Sequence, residues 1–343
     1  MRPRQPKALF AAEAVLVIGW AIGAAQTTVP EHLKKLPAGQ NILWQDPGAV
    51  ETLDLVYGIG GEANQPQPPY QFIEEELSGT TPKVKVKDAR GTTWVVKWGE
   101  EAKPSAFATR LAWACGYTVE TEYLISRGEI TGVHGLKRAA SSVQKDGSFI
   151  DGRFQMRADH PKFLADHNWA WTSNPFLGTP ELNGLKILIM LLSNWDTKDA
   201  RDLANTPAGP ASDSNLAIFQ DADDEHGPRY LYFVSDWGAS LGKWGGAPVR
   251  SKWDCKGYAG QSSDFVQGSD NGIVRWGYAG KHNDDIVKNI RVTDVKWLLQ
   301  YLGRITDEQL RRGLASSGAT PDELDCYMRS IRQRVNQLQA LVR

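Results

Sequence analysis

The chain has 343 residues, of which 41% are hydrophobic and 23% charged, and its formal net charge is -1. That composition describes a globular protein with a sizeable core and excludes a largely disordered chain. The near-zero charge removes any global electrostatic case for a nucleic acid or an anionic membrane as partner. Cys115, Cys255 and Cys326 are widely spaced, with no CxxC or Cys/His spacing for zinc. They allow one disulfide and a spare thiol, or three thiols. Cys115 and Cys326 fall in helical patterns among apolar residues, where a small buried thiol is the expectation. The 6 His residues form no ligand cluster, and the 13 Trp residues, several followed by Gly, read as core anchors rather than exposed platforms.

Residues 1–25 read as an export signal. Arg2, Arg4 and Lys7 precede a mostly apolar stretch, Ala8 to Ala25, that ends in small residues. Glu13 is costly inside a membrane, and about 18 residues is near the lower limit for a span. An uncleaved anchor and a surface amphipathic helix are therefore the alternatives. The expected location is exported (periplasmic or extracellular) or membrane-anchored, with membrane contact through this segment alone. Residues 26–69 are a lead-in. Its Gly58-Ile-Gly-Gly61 lacks the strand and helix that would flank a phosphate loop, so it reads as a linker.

From Tyr70 the pattern is β. Strands are expected at 70–76, 83–87 and 92–98, with Lys83-Val-Lys-Val-Lys87 in strict alternation. A helix follows from Pro104 to Cys115, with Gly116 as its C-terminal cap. Two further strands, 118–126 and 129–136, are expected to join at Arg127-Gly128. Residues 140–178 are mixed. Thr179 and Pro180 announce a helix over 181–193 with an apolar stripe at Leu182, Leu185, Ile189 and Leu192. Asn215-Leu-Ala-Ile-Phe219 and Tyr230 to Asp236 form a hairpin. Gly257-Tyr-Ala-Gly260 and Gly277-Tyr-Ala-Gly280 read as two related turns beside the acceptor. Thr293, Thr306 and Thr320 read as N-caps of a helical tail, the last two opening capping boxes.

The chemistry lies in four residues in series. The helix ending near Leu192 runs into Asp196 and Lys198; Asn215 opens one strand and Asp236 closes the next. In phosphoryl transfer one Asp takes the proton of the attacking hydroxyl, a Lys steadies the moving group, and an Asn and a second Asp hold the metal on the nucleotide phosphates. Asp196 and Lys198 are the candidate catalytic pair, and Asn215 and Asp236 the candidate Mg ligands, with Asn205 as a competitor. Lys97, closing the run Thr93-Trp-Val-Val-Lys97, is placed to meet the α- and β-phosphates. Its carboxylate partner has to be Glu100 or Glu101, or the pair is absent, because the helix from Pro104 carries no Glu.

These residues resemble the protein-kinase-like superfamily, in its outlying branches: HipA-type, phosphatidylinositol 3/4-kinase-like and secretory-pathway kinases. There an Asn-x-Asp replaces the His-Arg-Asp triplet, as Asn194-Trp-Asp196 does here. The resemblance covers roughly residues 70–300. It implies an α+β, bilobal protein-kinase-like fold, with a small β-rich N-lobe at 70–139 and a mainly helical C-lobe with its tail at 140–343. It implies ATP and Mg as cofactors and a hydroxyl of protein, lipid or sugar as acceptor. Two departures accompany it. Asp196 and Asn215 stand much further apart than the usual spacing of about five. In place of a GxGxxG loop, Ser78 and Gly79 of Ser78-Gly-Thr-Thr81 have to cover the phosphates. The expected function is an atypical kinase. The alternatives are an inactive pseudokinase-type interaction module and a Trp-rich exported glycan-binding protein, whose Trp rings would line an exposed face.

Overall fold

The computed structural model describes residues 35–79, 81–157, 161–205, 214–224 and 227–343. The expected export signal lies outside the described residues. Among the described residues no helix is long and apolar enough to cross a membrane. Mixed α and β structure is present, as expected, but the first sheet closes into a barrel.

The lead-in contributes a strand, β1 (Gln40–Ile42), and three short 3-10 turns at 50–52, 58–60 and 62–64. It is packed structure rather than a loose linker: Tyr123 donates its hydroxyl to Gly61 O at 2.8 Å. Strands β2 (Tyr70–Glu75), β3 (Lys83–Lys87) and β4 (Thr93–Lys97) fall where alternation places them. Val84, Val86, Trp94 and Val96 turn inward into one apolar cluster with Tyr70, Tyr123 and Phe154. Full burial of each such side chain contributes about 1.5–3 kcal/mol. Helix α1 (Ala102–Ala114) is buried along almost its whole length. It ends before Gly116, whose φ of +92° only glycine adopts freely. A Cβ there would also lie 2.3 Å from Trp44 Nε1.

The expected hairpin at Arg127-Gly128 does not form. One strand, β5 (Glu122–Thr131), runs straight through it and pairs with β6 (Ser148–Arg157), a strand the sequence pattern did not announce. Gly128 marks close approach, not a turn, since a Cβ there would meet the Phe149 ring at 2.5 Å. The alternation of β6 is concealed by Gly152 and by Asp151, which takes φ +50°. The barrel order is β2-β3-β4-β6-β5, closed by a short parallel pairing of β2 with β5.

Beyond β7 (Lys162–Phe163), Thr179 caps α2 (Pro180–Leu191), its hydroxyl accepting from Leu182 N at 3.2 Å. Helix α2 is buried nearly all round. The expected hairpin is present as β8 (Leu216–Asp224) and β9 (Gly227–Val234), in a sheet of order β1-β9-β8-β7. Helix α3 (Cys255–Gly260), the pair β10 (Val266–Asp270) and β11 (Ile273–Trp276), and helices α4 (Asn283–Val287), α5 (Val292–Leu302), α6 (Asp307–Ser316) and α7 (Pro321–Leu341) complete the chain. Gly257-Tyr-Ala-Gly260 is thus helical rather than a turn. Thr306 and Thr320 cap α6 and α7 with both arms of the capping box. Thr293 is not a cap; Arg291 is, because the Asp294 carboxylate turns back to accept from Arg291 N at 2.8 Å. A disulfide joins Cys255 to Cys326, tying α3 to α7, and Cys115 is a free, buried thiol.

Candidate functional site

Lys97 closes β4 and pairs in register with Arg153 of β6. Residues two apart share a face of a strand, so Arg153 stands beside Lys97 on the face opposite the barrel core. Burial and the neighbouring Arg153 guanidinium push the Lys97 ammonium down to about 8, against the opposing pull of Asp236, Glu120 and Glu122. Among the described residues no carboxylate forms a direct ion pair with Lys97.

The expected Lys97–Glu101 pair is absent, and Glu100 is exposed. Glu101, the residue before α1, instead meets Lys252 Nζ at 2.5 Å and accepts from Thr81 Oγ1 at 3.4 Å. The buried carboxylate nearest in role is Glu122. It holds Arg153 at 2.9 Å and accepts from Ser105 Oγ of α1 at 2.9 Å. The sequence pattern does not point to this pair because Arg153 lies on β6, which the pattern does not announce, although Glu122 falls within the expected strand at 118–126. Ser78 and Gly79 occupy an exposed turn, with the Ser78 hydroxyl donated to Glu76 Oε1 at 2.8 Å and the Gly79 carbonyl taken by Arg138. Among the described residues no hydrogen bond or ion pair ties Ser78 or Gly79 to Lys97 or Asp236.

Asp196, Lys198 and Asn215 meet, and Asp236 is tied to the same loop through Asn194. Helix α2 ends at Leu191 with Leu192 as its C-cap, Ser193 follows in the left-handed region at φ +57°, and the last carbonyls of the helix are held from outside. Leu191 O accepts from Tyr258 Oη at 2.7 Å and from Arg334 Nη1 at 2.8 Å. Asn194 O accepts from Tyr278 Oη at 2.5 Å. The two Gly-Tyr-Ala-Gly echoes therefore brace the loop through their tyrosines. Asn194 Nδ2 donates to Asp236 O at 3.1 Å, and Asp196 pairs with Lys198 at 3.4 Å. Asn215 donates its side-chain amide to Asp196 O and its backbone N–H to Lys198 O at 3.0 Å, while its own carbonyl accepts from Ser235 N at 2.9 Å. Asp236 Oδ1 accepts from Gly238 N at 2.8 Å. Gly238 has to be glycine, since a Cβ would lie 2.6 Å from Glu101 Cβ and 3.0 Å from Asp236 Oδ1. The Asn205 side chain lies outside the described residues.

Asn215 spends its amide nitrogen on Asp196, leaving its carbonyl Oδ1, and Asp236 spends one carboxylate oxygen on Gly238, leaving the other. Two oxygen donors, one just before β8 and one just after its partner β9, suit Mg²⁺, which takes one or two protein oxygens and completes its shell with phosphate and water. A second cluster, Asp199, Asp202 and His282, brings its ligand atoms within 4.8 Å of one another. Its carboxylates are already matched, Asp199 by Arg201 at 2.6 Å and Asp202 by Lys281 at 2.7 Å. Burial opposes ionisation of Asp202, but hydrogen bonds from His282 and Lys281 hold its carboxyl well below the usual range. This cluster is an ion-pair network supporting the loop.

A cavity of about 440 Å³ lies near Trp113, Glu120, Met156 and Phe219, and another of about 910 Å³ near Trp98, Phe149 and Lys252. Neither is lined by Lys97, Asp196, Lys198, Asn215 or Asp236. Comparison with protein-family models, with curated proteins and with solved structures finds no match to this chain.

Proposed function

We propose that the protein is an atypical kinase that transfers the γ-phosphoryl group of ATP to a hydroxyl. One observation carries the reading: Asn215 bonds the backbone carbonyls of Asp196 and Lys198, and Asn194, two residues before Asp196, bonds the carbonyl of Asp236. The order strand, strand, strand, helix, strand, strand over 70–157 supports the small lobe that the resemblance implies. The bilobal arrangement and the family membership belong to this proposal.

In this reading the Asp196 carboxylate accepts the proton of the acceptor hydroxyl. The hydroxyl oxygen forms a bond to the γ-phosphorus as the bond to the bridging oxygen of ADP breaks, the electron pair leaving with ADP. Lys198 neutralises charge on the moving group, and Lys97 meets the α- and β-phosphates. Asn215 Oδ1 and the free Asp236 oxygen would hold Mg²⁺, which supplies neutralisation of the phosphate charge when bound. Asp196 sits on a loop held from both sides, the rigidity that a base needs to stay in reach of its proton.

The pseudokinase reading draws on one observation, the missing Lys97–Glu pair. The glycan-binding reading needs exposed Trp rings, and no described Trp is exposed. Incubation with γ-labelled ATP and mixed protein, lipid and sugar acceptors tests the proposal. Transfer by wild type that is lost in Asp196→Asn supports it; nucleotide binding without transfer to any acceptor favours the pseudokinase.

A further inference from the structure

The segment after Asp236 returns to the Asp196 loop and is fastened to it. Trp195, the residue before Asp196, donates its indole N–H to Ser251 O at 2.9 Å. Arg250 Cζ stands 4.2 Å from the centre of the Trp195 ring, and Lys252 Nζ stands 5.5 Å from it. Two cations on one ring need compensation, and only one has it. Lys252 is paired with Glu101. Nearby, Lys198 is paired with Asp196 and Lys281 with Asp202. Arg250 is exposed and has no carboxylate partner among the described residues.

A guanidinium held over an indole by cation–π attraction keeps its N–H donors available to an anion. Those donors form the fork that carboxylate and phosphate groups fill bidentately. The indole fixes the group in place, so little side-chain freedom is lost when an anion arrives. The uncompensated charge is therefore mounted on the residue next to Asp196, where the acceptor hydroxyl has to come within about 2.6–3.2 Å of the carboxylate. A basic acceptor group beside Arg250 would be repelled by its unpaired charge.

Resting on the phosphoryl-transfer reading above, we propose that the acceptor is a hydroxyl compound carrying a carboxylate or phosphate group beside that hydroxyl, held by Arg250. The anion belongs either to an acidic peptide or to a small phosphorylated alcohol, and the test separates the two.

Binding is measured by titration calorimetry on the full chain, with and without Mg-ATP. The probes are a Ser peptide flanked by Glu, its Gln and Lys counterparts, and glycerol phosphate. The expected result is about tenfold or more tighter binding of an anionic probe than of the neutral peptide. Arg250→Ala should remove that preference, and Arg250→Lys, which keeps the charge without the fork, should restore only part of it. Preference for the Glu peptide assigns a peptide acceptor; preference for glycerol phosphate alone assigns a small one. Equal binding of acidic and neutral probes, no binding of either, or a preference that survives Arg250→Ala overturns the inference. Labelled-phosphate transfer is followed in parallel. Arg250-dependent anion binding without transfer would sustain the anion site and defeat the transfer reading; transfer with no preference for acidic acceptors would do the reverse.

Discussion

Asn215 gives its side-chain amide to the backbone carbonyl of Asp196, across a sequence separation of 19. That bond turns a long excursion into a short spatial step. The chain leaves the Asp196 loop, passes through residues outside the described set, and returns with Asn215 beside the residue it left. The bond also decides which end of Asn215 is free, because with the nitrogen committed only the carbonyl oxygen remains for a cation.

The proposed cation site makes the first prediction. Mg-ATP at about 100 times its Kd should stabilise the wild type by about 2.7 kcal/mol. Asp236→Ala should lose that stabilisation, and Asn215→Ala should lose much of it. Thermal unfolding with and without Mg-ATP measures both, and an undiminished shift in Asp236→Ala would remove Asp236 from the site.

Asp196 should matter to turnover and not to nucleotide binding. Asp196→Asn keeps the shape but cannot take a proton, so transfer should fall about 10²–10⁴-fold. ATP affinity, measured alongside, should change little. Equal transfer by the variant would mean that another group is the base.

Lys97 gives a pH dependence. Burial and Arg153 lower its folded pKa from the ordinary lysine value of 10.5 to about 8. Below about 8 the ammonium is charged and able to meet phosphate; above it the charge is lost, so nucleotide affinity should weaken through pH 8–9 and nearly vanish in Lys97→Met. The stability linkage has the opposite sign. Between about 8 and 10.5 the unfolded chain binds the extra proton, so this group's contribution to stability improves as pH rises. Affinity that is flat from pH 7 to 9 would place Lys97 away from the phosphates.

Arg334 is fully buried in α7 and carries its charge with carbonyls and rings as partners. It bonds Leu191 O and Ser193 Oγ, each at 2.8 Å, and its guanidinium lies 3.7 Å from the Tyr258 ring centre. Burial pushes its pKa down to about 10. Arg334→Met would leave several buried carbonyls unpaired, at a cost of about 3 kcal/mol or more. Urea unfolding reads this directly, and a loss below about 1 kcal/mol would show that the pocket refills with water or repacks.

The disulfide closes a sequence separation of 71. For a loop of that size chain entropy alone amounts to about 4 kcal/mol, and native disulfides typically contribute 2–4. Cys255→Ser with Cys326→Ser should lower stability within about that range. Cys115, whose thiol burial pushes far up, should resist thiol reagents until the chain unfolds. Labelling of Cys115 at native-state rates would contradict its burial.

Local pattern carried much of the fold. The positions of β3, β4, α2 and the caps at Thr179, Thr306 and Thr320 follow from rules that act over two to four residues, and the sequence holds everything those rules need. Asp196, Lys198, Asn215 and Asp236 could be picked out in order because each sits at the end of a local element. Other features were decided only by the folded chain. Gly128 has the local signature of a turn, yet it is the packed Phe149 ring that requires a glycine there, and Asp151 and Gly152 mask the alternation of β6. Glu101 found Lys252 across a separation of 151 instead of Lys97 four residues away. Tyr258 and Tyr278 turned inward to brace the Asp196 loop. In each case the partner lies far along the chain. Which charge meets which, and which glycine is a close approach, depends on distances that exist only after the strands and helices have packed.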